Sequence, residues 1–163
     1  MSSQYDNYIK NLNQFYNKDN IFKSESYVIN SKFTMTIDYY KAENHPNITK
    51  ATIYNLLDKK VIELNRNYSN FPFITIKHTN GNEYLIYGEE YQGFTILNLN
   101  TLKKINHYSQ FYYKRKGDSP YEWKYDDKNN ILYITACDYY GKELYLIYDF
   151  EFPEERRLPQ SSI

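Results

Sequence analysis

Apolar and polar positions change their period once along this chain. Between Gln4 and Lys18, residues Tyr5, Tyr8, Ile9, Leu12, Phe15 and Tyr16 recur at three- and four-residue steps, on one face of a helix. Ser2 or Ser3 is placed to cap it, and Asp6 falls in the first turn, where the helix dipole favours negative charge. Asn17-Lys18-Asp19-Asn20 reads as the stop. An amphipathic helix over 4–18 is therefore expected, packed across a sheet or its open edge.

From Ser31 onward the period is two. Phe33, Met35 and Ile37 alternate with Thr34, Thr36 and Asp38, in residues that favour strands. Lys41 to Thr49 reads as a loop, because Pro46 removes a donor and restricts His45. Lys50 to Leu57 is the next strand, Asp58-Lys59-Lys60 a turn, and Val61 to Leu64 the return.

The strand pattern repeats. Ala51 to Ile62 aligns without a gap on Phe94 to Ile105, with Thr52/Thr95, Ile53/Ile96, Asn55/Asn98 and Leu56/Leu99 identical. Pro72/Pro120, Ile86/Ile134, Tyr91/Tyr139 and Gly93/Gly141 match between a second and a third unit. Asn80-Gly81-Asn82 and Lys128-Asn129-Asn130 are hairpin-turn sequences. An acidic residue followed by tyrosine recurs as Asp38-Tyr39-Tyr40, Glu90-Tyr91-Gln92 and Asp138-Tyr139-Tyr140. The fold expected is mainly β, an antiparallel meander of about three units over 31–64, 73–105 and 121–152. One N-terminal amphipathic helix precedes it, and a tail over 153–163 is expected to fray. At 163 residues this reads as one domain.

The final strand of each unit carries Tyr54-Asn55-Leu56, Leu97-Asn98-Leu99 or Tyr148-Asp149-Phe150. A unit of this length ending in apolar-Asp/Asn-apolar resembles a β-propeller blade of the WD40 or related type. The Gly-His pair is absent and no unit ends in Trp-Asp, and three blades are fewer than closed propellers use. The resemblance implies an open or dimer-completed array and a surface that binds protein or ligand.

Composition narrows the chemistry. Aromatics reach 19%, with 21 Tyr and 9 Phe, which argues against global disorder. The mean hydropathy of −0.82 understates the core, since it scores Tyr as polar although its ring buries a large apolar body. AT-rich coding also enriches Tyr, Asn, Lys and Ile. Lysine plus arginine equals aspartate plus glutamate at 20 each, so the basic excess of nucleic-acid binders is missing. Tyr112-Tyr113-Lys114-Arg115-Lys116 alone interleaves aromatics and bases as single-strand binders do.

No nucleophile motif, phosphate-cradling glycine run or paired histidine spacing is present, and Cys137 is the only cysteine. It reads as a buried, inert thiol on an apolar strand. No catalytic residue, metal or cofactor is assigned, and the chain is read as a non-enzyme. The start lacks a signal-peptide pattern and no stretch is long enough to span a membrane, which gives a cytoplasmic expectation.

The function expected is binding of another protein, as inhibitors, immunity proteins and anti-defence factors do. Tyr39, Tyr40, Glu89, Glu90, Tyr91, Asp138, Tyr139 and Tyr140 would form an acidic, aromatic rim for it. The alternative is a small-ligand or nucleotide sensor with a pocket of Trp123, Arg115 and Tyr113. An enzyme using dispersed Asp, Glu and His stays open as a third reading. A homodimer would follow if an incomplete array leaves a strand edge exposed.

Overall fold

The structure is a computed structural model that describes residues 7, 10, 11, 13–66, 70–89, 93–107, 118–138, 140–155 and 160–161. The protein is mainly β, and its described residues form three antiparallel sheets of four strands each. By backbone contacts the chain divides into two compact units, Met1–Phe71 and Pro72–Ile163.

The first unit holds sheet A, built from β1 (Ile21–Val28), β2 (Phe33–Ala42), β3 (His45–Asn55) and β4 (Lys60–Arg66) in that spatial order. Alternation sorts its faces. Met35, Ile37, Ala51, Ile53 and Leu64 are buried on one, and Tyr40, Ala42 and Ile48 on the other. Phe15, Tyr16 and Ile21 pack against the second set, and the Tyr16 hydroxyl donates to the Thr49 carbonyl at 2.7 Å.

Two expectations for this unit are corrected. The amphipathic helix over 4–18 is not supported: no helix of seven or more residues occurs among the described residues, and the chain is already in a turn at Gln14–Phe15. A 3-10 turn follows at Lys18–Asn20, because the Asn17 side chain caps it by accepting from Asp19 N–H. The loop expected over Lys41 to Thr49 is mostly strand. Asn44 adopts φ 58°, which closes a short hairpin between β2 and β3. The register shift between Ala42/His45 and Tyr40/Ile48 leaves an extra residue on β3 around Pro46, where a missing donor costs no ladder bond.

The second unit holds sheets B and C. Sheet B runs β5 (Phe73–Lys77), β6 (Glu83–Glu89), β7 (Gly93–Asn98) and β8 (Lys104–His107). Sheet C runs β9 (Asp118–Asp126), β10 (Ile131–Asp138), β11 (Glu143–Asp149) and β12 (Gln160–Ser161). In the tail expected to fray, Gln160 and Ser161 pair with Ile147 and Leu146.

One core joins these two sheets. Ile76, Tyr84, Ile86, Phe94 and Ile96 of sheet B meet Leu132, Ile134, Leu144, Leu146 and Tyr148 of sheet C. Phe94 stands edge-on to Tyr148 at 5.2 Å, and Phe150 stands edge-on to Tyr84 at 5.5 Å. Such pairs add about 0.5–1.5 kcal/mol beyond their burial. Sheet C alternates: along β11 every second residue, Leu144, Leu146 and Tyr148, is buried, so its other face is open.

The repeated Asn/Asp ends each third strand in the same way. Asn55 Oδ1 accepts from the amides of Leu57 and Lys59, Asn98 Oδ1 from those of Asn100 and Thr101, and Asp149 Oδ1 from that of Glu151. Asp58 and Leu102 then take left-handed conformations to turn into the next strand. The repeat is thus turn chemistry in which a short side chain imitates the backbone.

Candidate functional site

The open face of sheet C carries the site. On β10, inward Leu132, Ile134 and Ala136 send Tyr133 and Cys137 outward; on β11, inward Leu144 and Leu146 send Glu143 and Tyr145 outward. A register shift between Thr135/Glu122 and Ala136/Pro120 makes Tyr121 an extra residue on β9. Its hydroxyl donates to Glu143 Oε1 at 2.6 Å, and that of Tyr145 donates to Glu143 Oε2 at 2.9 Å. One carboxylate is thereby held between two phenols. Tyr121, Tyr133 and Tyr145 remain 42%, 40% and 53% exposed, and Tyr140, between β10 and β11, is 79% exposed.

The electrostatics follow from that geometry. The hydrogen bond from Tyr121, then that from Tyr145, holds the Glu143 carboxyl below the usual carboxylate range. The Tyr121 phenol is pushed up to about 12, first by its bond to Glu143 and then by burial and the Glu143 charge. Tyr145 is raised by its own bond to Glu143 and then by the Glu143 charge. The face therefore presents fixed negative charge framed by aromatic edges.

The expected rim residues divide. Tyr140 is exposed in the turn between β10 and β11. Asp138 ends β10 and Glu89 ends β6, with their side chains outside the described set, and Glu90, Tyr91 and Tyr139 lie outside the described residues. Asp38, Tyr39 and Tyr40 sit inside β2, and Glu43 and Asn44 make the turn that follows it. Tyr40, at 4% exposure, is core and not contact surface. Tyr39 is half-buried; its hydroxyl donates to Glu25 and Lys23 Nζ stands 5.0 Å from its ring centre. Burial, then the Glu25 bond, raises the Tyr39 phenol far above its ordinary value.

Of the alternative pocket residues Trp123, Arg115 and Tyr113, the last two lie outside the described residues, and Trp123 alone is placed. Trp123 packs on the core of sheets B and C, edge-on to Phe94 at 5.9 Å, and among the described residues its buried Nε1 has no hydrogen-bond partner. Cys137 is half-buried on the open face rather than buried, since the inward places beside it belong to Ile134 and Ala136.

A recess of about 470 Å³ lies elsewhere in the second unit, among His78, Asn80, Asn130, Phe152 and Glu154. Asn80 N–H donates to His78 Nδ1 at 3.0 Å, so Nε2 carries the hydrogen and donates to the Phe150 carbonyl at 2.7 Å. Buried Asn98 donates to Glu154 Oε1 at 2.6 Å. Among the described residues no group of three or more His, Cys, Asp or Glu is arranged to hold a metal ion, and no helix is long and apolar enough to cross a membrane.

Sequence reasoning passed over Tyr121, Tyr133, Glu143 and Tyr145. The two-residue period of β10 and β11 carries the outward direction of the last three; the bulge that presents Tyr121 leaves no sequence signal. The chain matches no protein-family profile and no curated protein.

Proposed function

We propose that this protein is a non-catalytic module that binds another protein through the acidic, tyrosine-rich face of sheet C. The single observation that carries this reading is the Tyr121–Glu143–Tyr145 arrangement, with Tyr133 exposed on the same face. Tyrosine offers large contact area with few rotatable bonds, and clustered exposed aromatics are otherwise unfavourable on a surface. The fixed carboxylate suits a lysine or arginine of the partner, which can bond to it and lie against the rings. In this reading the sheets are blade-like supports and the protein acts as an inhibitor, immunity or anti-defence factor in the cytoplasm.

Binding is tested with a photo-crosslinking phenylalanine analogue placed at Tyr145 and, separately, at Lys128, on the turn between β9 and β10. A discrete crosslinked protein from position 145 alone is the expected result. Equal labelling from both positions, or none from 145, contradicts it.

The recess beside His78 favours a second reading, a small-ligand sensor. Thermal-shift screening against nucleotides and small cations separates the two, because a ligand bound there raises the midpoint by mass action.

A further inference from the structure

The turn after β3 departs from the two turns that match it in the repeat. Asn55, Asn98 and Asp149 hold equivalent places, and each accepts backbone amides of residues just beyond it. The next residue is core in the second unit, Leu99 at 3% exposure and Phe150 at 0%, whereas Leu56 is 73% exposed. The place after that is exposed in all three. It holds Asn100 and Glu151 in the second unit, but Leu57, 74% exposed, in the first.

The turn itself requires neither leucine. Asn55 Oδ1 accepts from the amides of Leu57 and Lys59, and Asp58 takes a left-handed φ of 56°, so backbone bonds set the tip whatever its side chains. A third apolar residue, Val28, is 81% exposed at the same end of sheet A. Val28 pairs with Thr34, Phe33 with Asn55 and Tyr54 with Lys60, so the first and third turns of the sheet share that end. Two strand spacings, about 10 Å, separate them. Exposed lysines border the apolar residues: Lys32 on the first turn, Lys59 on the third, and Lys60 where β4 begins. Asp58 is the acid on these turns, and Glu63 of β4 is engaged by Lys60 at 2.9 Å.

We propose that this end of sheet A docks on a membrane surface rich in anionic phospholipid, with Leu56 and Leu57 entering the boundary between headgroups and acyl chains. A projecting pair of leucines suits a fluid interface, which takes up apolar side chains without a preformed pocket. The lysines carry the sign that complements the headgroups, and their long stems let the ammonium groups sit at headgroup level while the leucines go deeper. Apolar area and charge are each small here, so attachment is reversible and needs both.

Vesicle flotation of the full chain tests this, with phosphatidylcholine vesicles and with vesicles containing about one-third phosphatidylserine. The unaltered protein is expected to float with the anionic vesicles, far less with the neutral ones, and to be released by high salt. Leu56→Ser with Leu57→Asn should lower the lipid partition coefficient about tenfold or more. Lys32→Glu with Lys59→Glu should lower it by a similar factor of about ten. Both pairs sit at exposed turn positions, and an unchanged urea midpoint checks that each variant is folded. No flotation of the unaltered protein, equal flotation with neutral vesicles, or binding that the leucine substitutions leave unchanged overturns the proposal. So does a leucine-dependent dimer in sedimentation equilibrium without vesicle binding, which assigns the tip to a second copy of the chain.

Discussion

Tyr121 and Glu143 stand 22 positions apart in the chain and meet hydroxyl to carboxylate at 2.6 Å on the open face of sheet C. Two features make the meeting: the bulge on β9 that turns Tyr121 outward, and the start of β11 that sends Glu143 to the same face. The relationship joins the fold to the proposed function, since it fixes a negative charge among exposed rings.

It also has a titration signature. The Tyr121 phenol, raised to about 12, should ionise after an ordinary exposed tyrosine in carbon-13 spectra of labelled protein. Glu143→Gln removes the charge and should bring it back toward 10. An unchanged midpoint would show that the carboxylate is not its cause. The sign for stability follows: a raised folded value means a contribution present below about 10 and lost as pH rises through about 12. Lowered Glu143 contributes in the opposite direction, present above the ordinary carboxylate value and lost as pH falls through its folded value.

The turn asparagines should differ in weight. Asn98 is buried, accepts two backbone amides and donates to Glu154; Asn55 accepts two amides in a half-buried place. Asn98→Ala should cost about 2–3 kcal/mol and Asn55→Ala about 1 kcal/mol in urea unfolding. Equal costs would mean that burial of the amide does not matter here.

His78 ties the turn after β5 to the end of β11 through Asn80 N–H and the Phe150 carbonyl. His78→Leu keeps the bulk but strands both backbone groups. A loss of about 2–4 kcal/mol is expected in thermal or urea unfolding, and a neutral result would show that water replaces both bonds.

Trp123 gives the contrary case. Among the described residues its buried Nε1 has no hydrogen-bond partner, a penalty of about 1–3 kcal/mol that Phe does not carry. Trp123→Phe should therefore change stability by less than about 1 kcal/mol, although it removes ring area. A large loss in calorimetry would mean that the lost packing against Phe94 outweighs the relief.

Much of the architecture was legible in the residues. The alternation Phe33–Ile37 and the Asn55/Asn98 match lie in strands of the expected kind, since local period and turn chemistry are written locally. β1 was not legible, because Phe22-Lys-Ser-Glu-Ser-Tyr is mostly exposed, with no buried face to impose alternation. Pro46 misled for a related reason: a bulge absorbed it, and bulges depend on the neighbouring strand. The acidic-tyrosine pattern looked like one feature repeated, yet Tyr40 is core and Tyr140 is surface. The site itself needed the cross-strand register, which brings Tyr121 to Glu143 and is not carried by either segment alone.

The central claim is that the open face of sheet C binds a protein. The most direct measurement compares crosslinking from the phenylalanine analogue at Tyr145 in an otherwise unaltered chain and in one carrying Tyr133→Ser and Glu143→Gln, both folded by circular dichroism. The account predicts a discrete partner from the first and its loss from the second. The same partner at equal yield from both, or no partner from the first, would contradict it.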